Sequence, residues 1–188
     1  YSHKNLVEAG VDEAGRGCLA GPVVCASVIL PADYFNNELN DSKKISKKKR
    51  ERLYEDIVNN AVSYSIKEVD NNIIDDINIL QATLFGWSEC INDMDIGPEF
   101  IIVDGKFFIN EYSIPHECII GGDAKYQSIA AASILAKVHK DSVMEQLHEE
   151  YPMYNWIKNS AYGTKEHREA IKKYGLSPYH RKTYKLKG

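Results

Sequence analysis

Residues 10–17 read GVDEAGRG, and this stretch decides how the first part of the chain folds. The apolar run before it is typical of a buried strand, which ends where Asp12 and Glu13 stand side by side. The two glycines that follow permit a tight connection to the apolar run at 19–30, so the pattern predicts an antiparallel hairpin. Because carboxylates are costly to desolvate, we expect a positive group or a cation to meet this acidic pair.

Helical and strand patterns alternate along the rest of the chain. The predicted elements are a helix capped by Ser46, a strand at 62–69, a helix at 75–93, strands at 99–105 and 117–123, and helices at 126–150 and 165–174. This order, in which strands come first and helices and strands then alternate, predicts an α/β protein with a mixed sheet. We expect a main domain at 1–150 and a small helical extension at 151–188.

The composition is that of a globular protein able to bury a full core. The chain has 188 residues, of which 44% are hydrophobic. No apolar stretch is long enough to cross a membrane, and the first residues lack the apolar segment of a secretion signal. None of the four cysteines is spaced for a CxxC metal site. This cysteine usage predicts a reducing compartment, hence the cytoplasm.

Charge is distributed unevenly along the chain. The formal net charge is −4, which by itself argues against a nucleic-acid binder. Residues 151–188, however, hold nine lysines and arginines against two acidic residues. An acidic body with a basic end indicates a polyanion held at one end of the molecule. A solvated lysine-rich surface helix explains the charge equally well at this point.

Two further aspartates share the setting of the first acidic pair. Asp104 and Asp123 each follow an apolar strand-like run and have glycine beside them. If the strand ends meet, these two carboxylates face the same small volume as Asp12 and Glu13, and the four would repel unless cations neutralise them. Oxygen ligands of this kind suit Mg²⁺. Taken singly, each of these two aspartates is better explained as a turn or cap residue.

Longer motifs carry a resemblance to a known family. VDEAGRGCLAGPVVCASVIL, IIVDGK, GGDAKYQSIAAASILAKVHKD and YGTKEHREAIKKYGLSPYHRKTY occur in this order. With them the chain resembles bacterial ribonuclease HII, the type 2 ribonuclease H, over nearly its whole length. The resemblance implies a ribonuclease H-like fold, in which helices flank a mixed five-stranded central sheet and a small helical C-terminal extension follows.

The resemblance also implies an activity. It indicates a monomeric endonuclease that acts on RNA–DNA hybrids and on single ribonucleotides embedded in duplex DNA. The cut falls 5′ of the ribonucleotide and leaves 3′-hydroxyl and 5′-phosphate ends. The family's catalytic metal ligands match Asp12, Glu13, Asp104 and Asp123, which would hold Mg²⁺ or Mn²⁺, two ions in the substrate complex. Asp141 matches a family position to which we assign a supporting role.

Substrate contacts follow from the same resemblance. It assigns them to Gly15, Arg16, Gly17, Lys43, Tyr162, His180 and Arg181. The Gly-Arg-Gly backbone and the tyrosine would sense the 2′-hydroxyl, which donates and accepts hydrogen bonds, while the lysine, the histidine and the second arginine would contact phosphates. Many family members carry glycine where this chain has Ala161. Without the resemblance, the glycines are a hairpin turn, the tyrosine a half-buried aromatic residue and the lysine a solvated one.

Two other functions use similar residues. Another nuclease or an integrase on the same fold shares the acidic cluster but lacks the Gly-Arg-Gly segment beside the first acids. A catalytically silent nucleic-acid-binding module would tolerate the loss of any acid, whereas this chain has all four. Ion-dependent cutting of a duplex with one ribonucleotide distinguishes these possibilities.

Overall fold

The computed structural model describes residues 6–39, 45–108 and 113–185. The strands and α-helices in these ranges are β1 (Glu8–Ala14), β2 (Val23–Ile29), α1 (Lys47–Asn60), β3 (Ser63–Val69), α2 (Asn71–Asn92), β4 (Phe100–Asp104), β5 (His116–Ile119), α3 (Gln127–Glu150), α4 (Trp156–Asn159) and α5 (Lys165–Tyr174). Short 3₁₀ turns lie at Gly122–Ala124 and Pro152–Tyr154. Within the described ranges, no helix has the length and apolar character that crossing a bilayer requires.

The strands form one mixed sheet in the order β3-β2-β1-β4-β5. β1 and β2 pair in antiparallel fashion, which confirms the predicted hairpin, and β2 pairs with β3 in the same sense. β4 runs parallel to both β1 and β5. The predicted α/β class with a mixed five-stranded sheet is therefore confirmed. Because β1, β4 and β5 point the same way, their carboxyl ends lie at one edge of the sheet.

The long helix α3 packs directly on β1, and a glycine makes this possible. A methyl group built on Gly10 would lie only 2.2 Å from the backbone carbon of Ser128. Backbone cannot move aside as a flexible side chain can, so only glycine permits this spacing. The run Ala130–Ala132 is fully buried against the sheet, as expected for small residues at a close helix contact.

Side-chain caps explain where the first two long helices begin. The Ser46 hydroxyl accepts a hydrogen bond from the Lys49 amide, which confirms the predicted start of α1. α2 begins at residue 71 rather than 75, because the Asp70 carboxylate accepts two amide hydrogen bonds there. Asn78 breaks α2 with φ of 69°, and its side chain caps the second part of the helix.

The C-terminal extension shares a hydrophobic core with the first hairpin. Isolated β-bridges join Cys18 to Tyr162 and Ala20 to His180. The members of this core include Cys18, Leu19, Ala20, Met144, Tyr154, Trp156, Ala161, Ala170 and Ile171. The extension is thus built against the connection that follows the first two acids.

Two buried histidines organise the inside of this extension. The Trp156 indole donates to His167 Nε2 at 3.0 Å, and His180 Nε2 lies 3.1 Å from the same nitrogen. The Ser177 amide donates to His180 Nδ1 at 2.9 Å, so this nitrogen is an acceptor and the ring is neutral. Burial lowers the pKa of His167, and burial with the neighbouring His167 lowers the pKa of His180 to about 4.

This network predicts a loss of stability in mild acid. The folded state binds fewer protons at His180 than the unfolded chain between the ordinary histidine pKa of about 6.5 and the folded pKa of about 4. Stability therefore falls as pH drops through that window. We expect His180→Gln to show a smaller difference in Tm between about pH 7 and about pH 5 than the unmodified protein. An unchanged difference would contradict the assignment.

Candidate active site

Three of the four predicted acids lie together at the carboxyl edge of the sheet. The parallel register places Val11 of β1 beside Val103 of β4, so Asp12 and Asp104 are the next residues on adjacent strands. Asp12 is almost fully buried, and its side chain hydrogen-bonds Ser133 of α3 and the Glu13 amide. The ends of β1 and β4, and with them Asp12, Glu13 and Asp104, therefore lie together at the carboxyl edge of the sheet.

Asp123 reaches this edge through the turn after β5. The Gly122 amide donates to Asp104 Oδ1 at 2.8 Å, and Asp123 is the next residue, buried within the 3₁₀ turn. The turn therefore fixes the orientation of the Asp104 carboxylate. The strand predicted at 117–123 ends at Ile119, so Asp123 sits on a turn rather than at a strand end.

Electrostatics at this edge are unfavourable for the protein alone. Burial raises the pKa of Asp12 well above its usual value, and the charges of Glu13 and Asp104 raise it further. Burial likewise raises the pKa of Glu13, against the opposing effect of Arg16. Glu13 Oε2 is buried and has no hydrogen-bond partner among the residues that the structure describes. An unpaired buried carboxylate oxygen beside two further acids is what a cation would relieve.

The donor set fits a hard divalent cation. In residues 6–39, 45–108 and 113–185, no group of three or more acidic, histidine or cysteine side chains is placed to hold a metal ion by itself. Mg²⁺ in phosphoryl-transfer sites takes one or two carboxylates and completes its shell with water and substrate phosphate. The Asp12 and Asp104 carboxylates, at the ends of two adjacent strands, suit that mode of binding.

A cleft opens directly beside the acids. Its volume is about 390 Å³, and its lining includes Glu13, the Gly15–Gly17 segment, Ser133, Lys137 and Tyr162. Gly15 has φ of 94°, a conformation that favours glycine, so the backbone turns sharply where it borders the cleft. Arg16 is half-exposed, with its guanidinium 3.4 Å from Glu13 Oε1.

Tyr162 also lines this cleft, beside the Gly15–Gly17 segment. Its side chain is 41% exposed, and its backbone bridges Cys18. Burial of the phenol, together with the adjacent Cys18 thiol, raises the pKa of Tyr162 to about 12. The hydroxyl therefore keeps its proton at neutral pH and can donate a hydrogen bond. The structure thus places Gly17 and Tyr162 next to each other in the lining of one cleft, with 3.9 Å from a methyl position on Gly17 to the ring.

His180 and Arg181 are not surface groups, which corrects the prediction that they grip phosphates. Their side chains are only 1% and 2% exposed, respectively. Arg181 Nη1 donates to the Arg16 carbonyl at 2.9 Å, and Arg181 Nε donates to the Gly21 carbonyl at 3.1 Å. Buried groups bound to backbone cannot meet a phosphate, so both residues brace the site from inside the protein.

Other residues around the cleft were given a minor role by the sequence or were missed. Asp141 accepts hydrogen bonds from Lys137 and the Ser160 hydroxyl, which fits the supporting role predicted for it. No role in the site was predicted for Ser133 from the sequence, although its side chain reaches Asp12. Its position on the sheet-facing side of α3, level with the end of β1, was the available signal. Lys43 lies outside the described residues.

Solved structures share this fold. The ribonuclease H2 from Pyrococcus horikoshii OT3 matches with a TM-score of 0.79 at 28% identity, covering 95% of this chain and 94% of that chain. The ribonuclease HII of Archaeoglobus fulgidus, solved as a complex with PCNA, matches with a TM-score of 0.80 at 28% identity and 97% coverage of both chains. The fold and its acidic edge thus define an enzyme of the ribonuclease H class.

Sequence relatives narrow this class. The sequence pattern of the family described as Ribonuclease HII matches residues 9–187. The ribonuclease HII of Christiangramia forsetii is 52% identical over 186 residues, which cover 99% of this chain and 94% of that relative. The chain belongs to the ribonuclease HII family. One structural neighbour at 20% identity, Bst-RNase HIII, was solved in complex with Mn²⁺.

Removing one carboxylate should stabilise the protein when no cation is present. Asp12→Asn keeps a side-chain oxygen for Ser133 and the Glu13 amide but removes a buried negative charge. In chelator at neutral pH we expect its Tm to rise by a few degrees, at about 2–4 °C per kcal/mol for a chain of this size. Millimolar MgCl₂ should raise the Tm of the unmodified protein more than that of the variant.

The matched control for this measurement is Asp95→Asn, which removes an exposed carboxylate in the loop before β4. It should leave both the Tm in chelator and the response to MgCl₂ unchanged. A lower Tm for Asp12→Asn in chelator, or an undiminished gain with MgCl₂, would contradict the electrostatic account.

Proposed function

We propose that this enzyme hydrolyses the RNA strand of RNA–DNA hybrids and also cuts 5′ of single ribonucleotides in duplex DNA, leaving 3′-hydroxyl and 5′-phosphate ends. One observation carries the proposal. Glu13 belongs to the acidic edge with Asp12 and Asp104 and also lines the cleft formed by Gly15–Gly17 and Tyr162. A group that recognises a sugar and a group that holds a cation thus border the same opening.

Recognition in this proposal depends on the sugar rather than the base. The 2′-hydroxyl distinguishes RNA from DNA because it both donates and accepts hydrogen bonds. Backbone groups of Gly15 and Gly17 can approach it closely, and the protonated Tyr162 phenol can donate to it. Because such contacts ignore base identity, the enzyme should show little sequence preference.

The acids in this proposal hold the catalytic cations. Asp12 and Asp104 are the main ligands, oriented by Ser133 and by the Gly122 amide respectively, and Glu13 and Asp123 complete or orient the shell. When bound, divalent cations activate a water for in-line attack and stabilise the leaving 3′ oxygen. We propose Mg²⁺ or Mn²⁺, with two ions in the substrate complex. The monomeric state and the cytoplasmic location stay predictions.

Three labelled duplexes test the proposal. The first is a DNA duplex with one ribonucleotide, the second is a long RNA–DNA hybrid, and the third is DNA alone. Each is incubated with MgCl₂, MnCl₂ or chelator. We expect ion-dependent cutting of the first two, with a 3′-hydroxyl left on the 5′ side of the ribonucleotide. Cutting of the all-DNA duplex would favour a general nuclease. Binding without cutting under every condition would leave a nucleic-acid-binding module.

Loss of the phenol should weaken reading of the ribose without disturbing the fold. Tyr162→Phe keeps the ring beside Gly17 but removes the proposed donor to the 2′-hydroxyl. A hydrogen bond contributes about 0.5–1.5 kcal/mol, so we expect kcat/KM on the single-ribonucleotide duplex to fall about 3- to 10-fold. Tyr174→Phe, an exposed tyrosine at the end of α5, is the control and should not change kcat/KM. Unchanged turnover in Tyr162→Phe would remove this residue from the proposed recognition.

A further inference from the structure

We propose that Lys140 is a positioning residue for ribonucleotide recognition, holding the Gly15–Cys18 segment and the Ser160–Tyr162 segment in fixed relation. The inference rests on the proposed function, because it concerns how the two walls of that cleft are kept in place. Lys140 does not line the cleft itself. It lies beneath the cleft on α3, about one turn beyond Lys137 and about two turns beyond Ser133 in the direction of the helix C-terminus.

Burial sets Lys140 apart from the other lysines on the helices around the cleft. Its side chain is 0% exposed, although lysine is almost never buried without a partner. Its stem passes directly under the Gly15 turn, since a methyl group built on Gly15 would lie 3.2 Å from Lys140 Cε and 3.3 Å from Cδ. The stem therefore supports one wall of the cleft through packing.

The ammonium group supports the other wall. It donates a hydrogen bond to the Ser160 carbonyl and lies 4.7 Å from the centroid of the Tyr162 ring. It also lies near the Cys18 thiol, whose residue pairs with Tyr162 through the backbone. One side chain thus contacts both segments, through the Ser160 carbonyl on one and through packing under Gly15 on the other.

The backbone that Lys140 contacts is strained, and the contact helps to hold it in that conformation. Ser160 and Ala161 have φ of 48° and 64°, so two successive non-glycine residues adopt the left-handed conformation immediately before Tyr162. Such residues persist only where surrounding contacts hold them. A charged donor on the Ser160 carbonyl is a contact of that kind, and it fixes the direction in which the chain enters Tyr162.

A purely structural role for Lys140 makes a different prediction. Its burial lowers the pKa of the ammonium, aided by the like charge of Lys137, so keeping a lysine there is costly. If the residue served only to fill space, a methionine of similar length would replace it without a specific effect on recognition. If it positions Tyr162, removing the ammonium should matter only while Tyr162 is present.

The test is a double-mutant cycle with Lys140→Met and Tyr162→Ala, measured as kcat/KM on the single-ribonucleotide duplex. We expect Lys140→Met alone to lower kcat/KM about tenfold and to add less than about twofold in the Tyr162→Ala background. Lys165→Met, an exposed lysine at the start of α5, is the matched control and should be unchanged. Independent, multiplicative effects, or a fully active Lys140→Met, would overturn the proposal.

A measurement on the unmodified protein keeps the placement testable even if Lys140→Met does not fold. An ammonium seated over an aromatic ring brings the adjacent methylene protons into the ring's shielding region. We expect upfield-shifted Lys140 Hε resonances with nuclear Overhauser contacts to the Tyr162 ring, both lost in Tyr162→Ala. Unshifted resonances without these contacts would overturn the proposal. A protein that shows them yet cuts none of the three duplexes would instead refute the proposed function.

Discussion

The contact between the backbones of β1 and α3 at Gly10 sets the position of everything at the active edge. No side chain fits between strand and helix there, so the two elements lie as close as backbone allows. The distance between β1 and α3 is fixed at this contact, and both elements continue from it in the same direction. Twelve residues along α3 from Ser128, the helix has reached the level of Gly15, where the Lys140 stem packs. The position of α3 relative to the acids at the carboxyl edge of the sheet therefore depends on the contact at Gly10.

The same helix serves two purposes along one face. Ser133 meets Asp12 where the cation ligands gather, and two turns later Lys140 meets the segments that form the cleft. A rigid helix therefore links the spacing of the acids to the spacing of the recognition groups. In the proposed function the cut bond and the recognised sugar belong to one nucleotide, so a fixed distance between the two sets of contacts would select where cutting occurs.

The sequence predicted the framework well because periodicity and glycine placement are local signals. The hairpin, the start of α1 at Ser46 and the full length of α3 follow from residue patterns that the structure confirms. The break in α2 was missed because apolar spacing continues through Asn78, although asparagine is a capping residue. Asp12 and Asp104 could be paired from their strands alone, whereas Asp123 depends on a turn whose geometry no pattern reveals.

The two buried basic side chains, Arg181 and Lys140, were the hardest feature to predict from sequence. Basic residues in a basic segment are usually solvated, so Arg181 was expected at the surface. Its true surroundings are the carbonyls of Arg16 and Gly21, more than 150 positions away along the chain. Lys140 was overlooked for a similar reason, since its partners lie on two distant segments. Residues that join remote parts of a chain leave no local trace of that role.

One consequence concerns the order in which the protein is made. The Arg16 carbonyl accepts hydrogen bonds from Arg181 Nη1 and from the Tyr184 hydroxyl. The connection between β1 and β2 is therefore held by residues that lie far along the chain. During synthesis the acidic pair and both hairpin strands leave the ribosome long before those residues do. A nascent chain therefore carries the acidic pair well before it can complete the cleft beside that pair, which requires Arg181 and Tyr184.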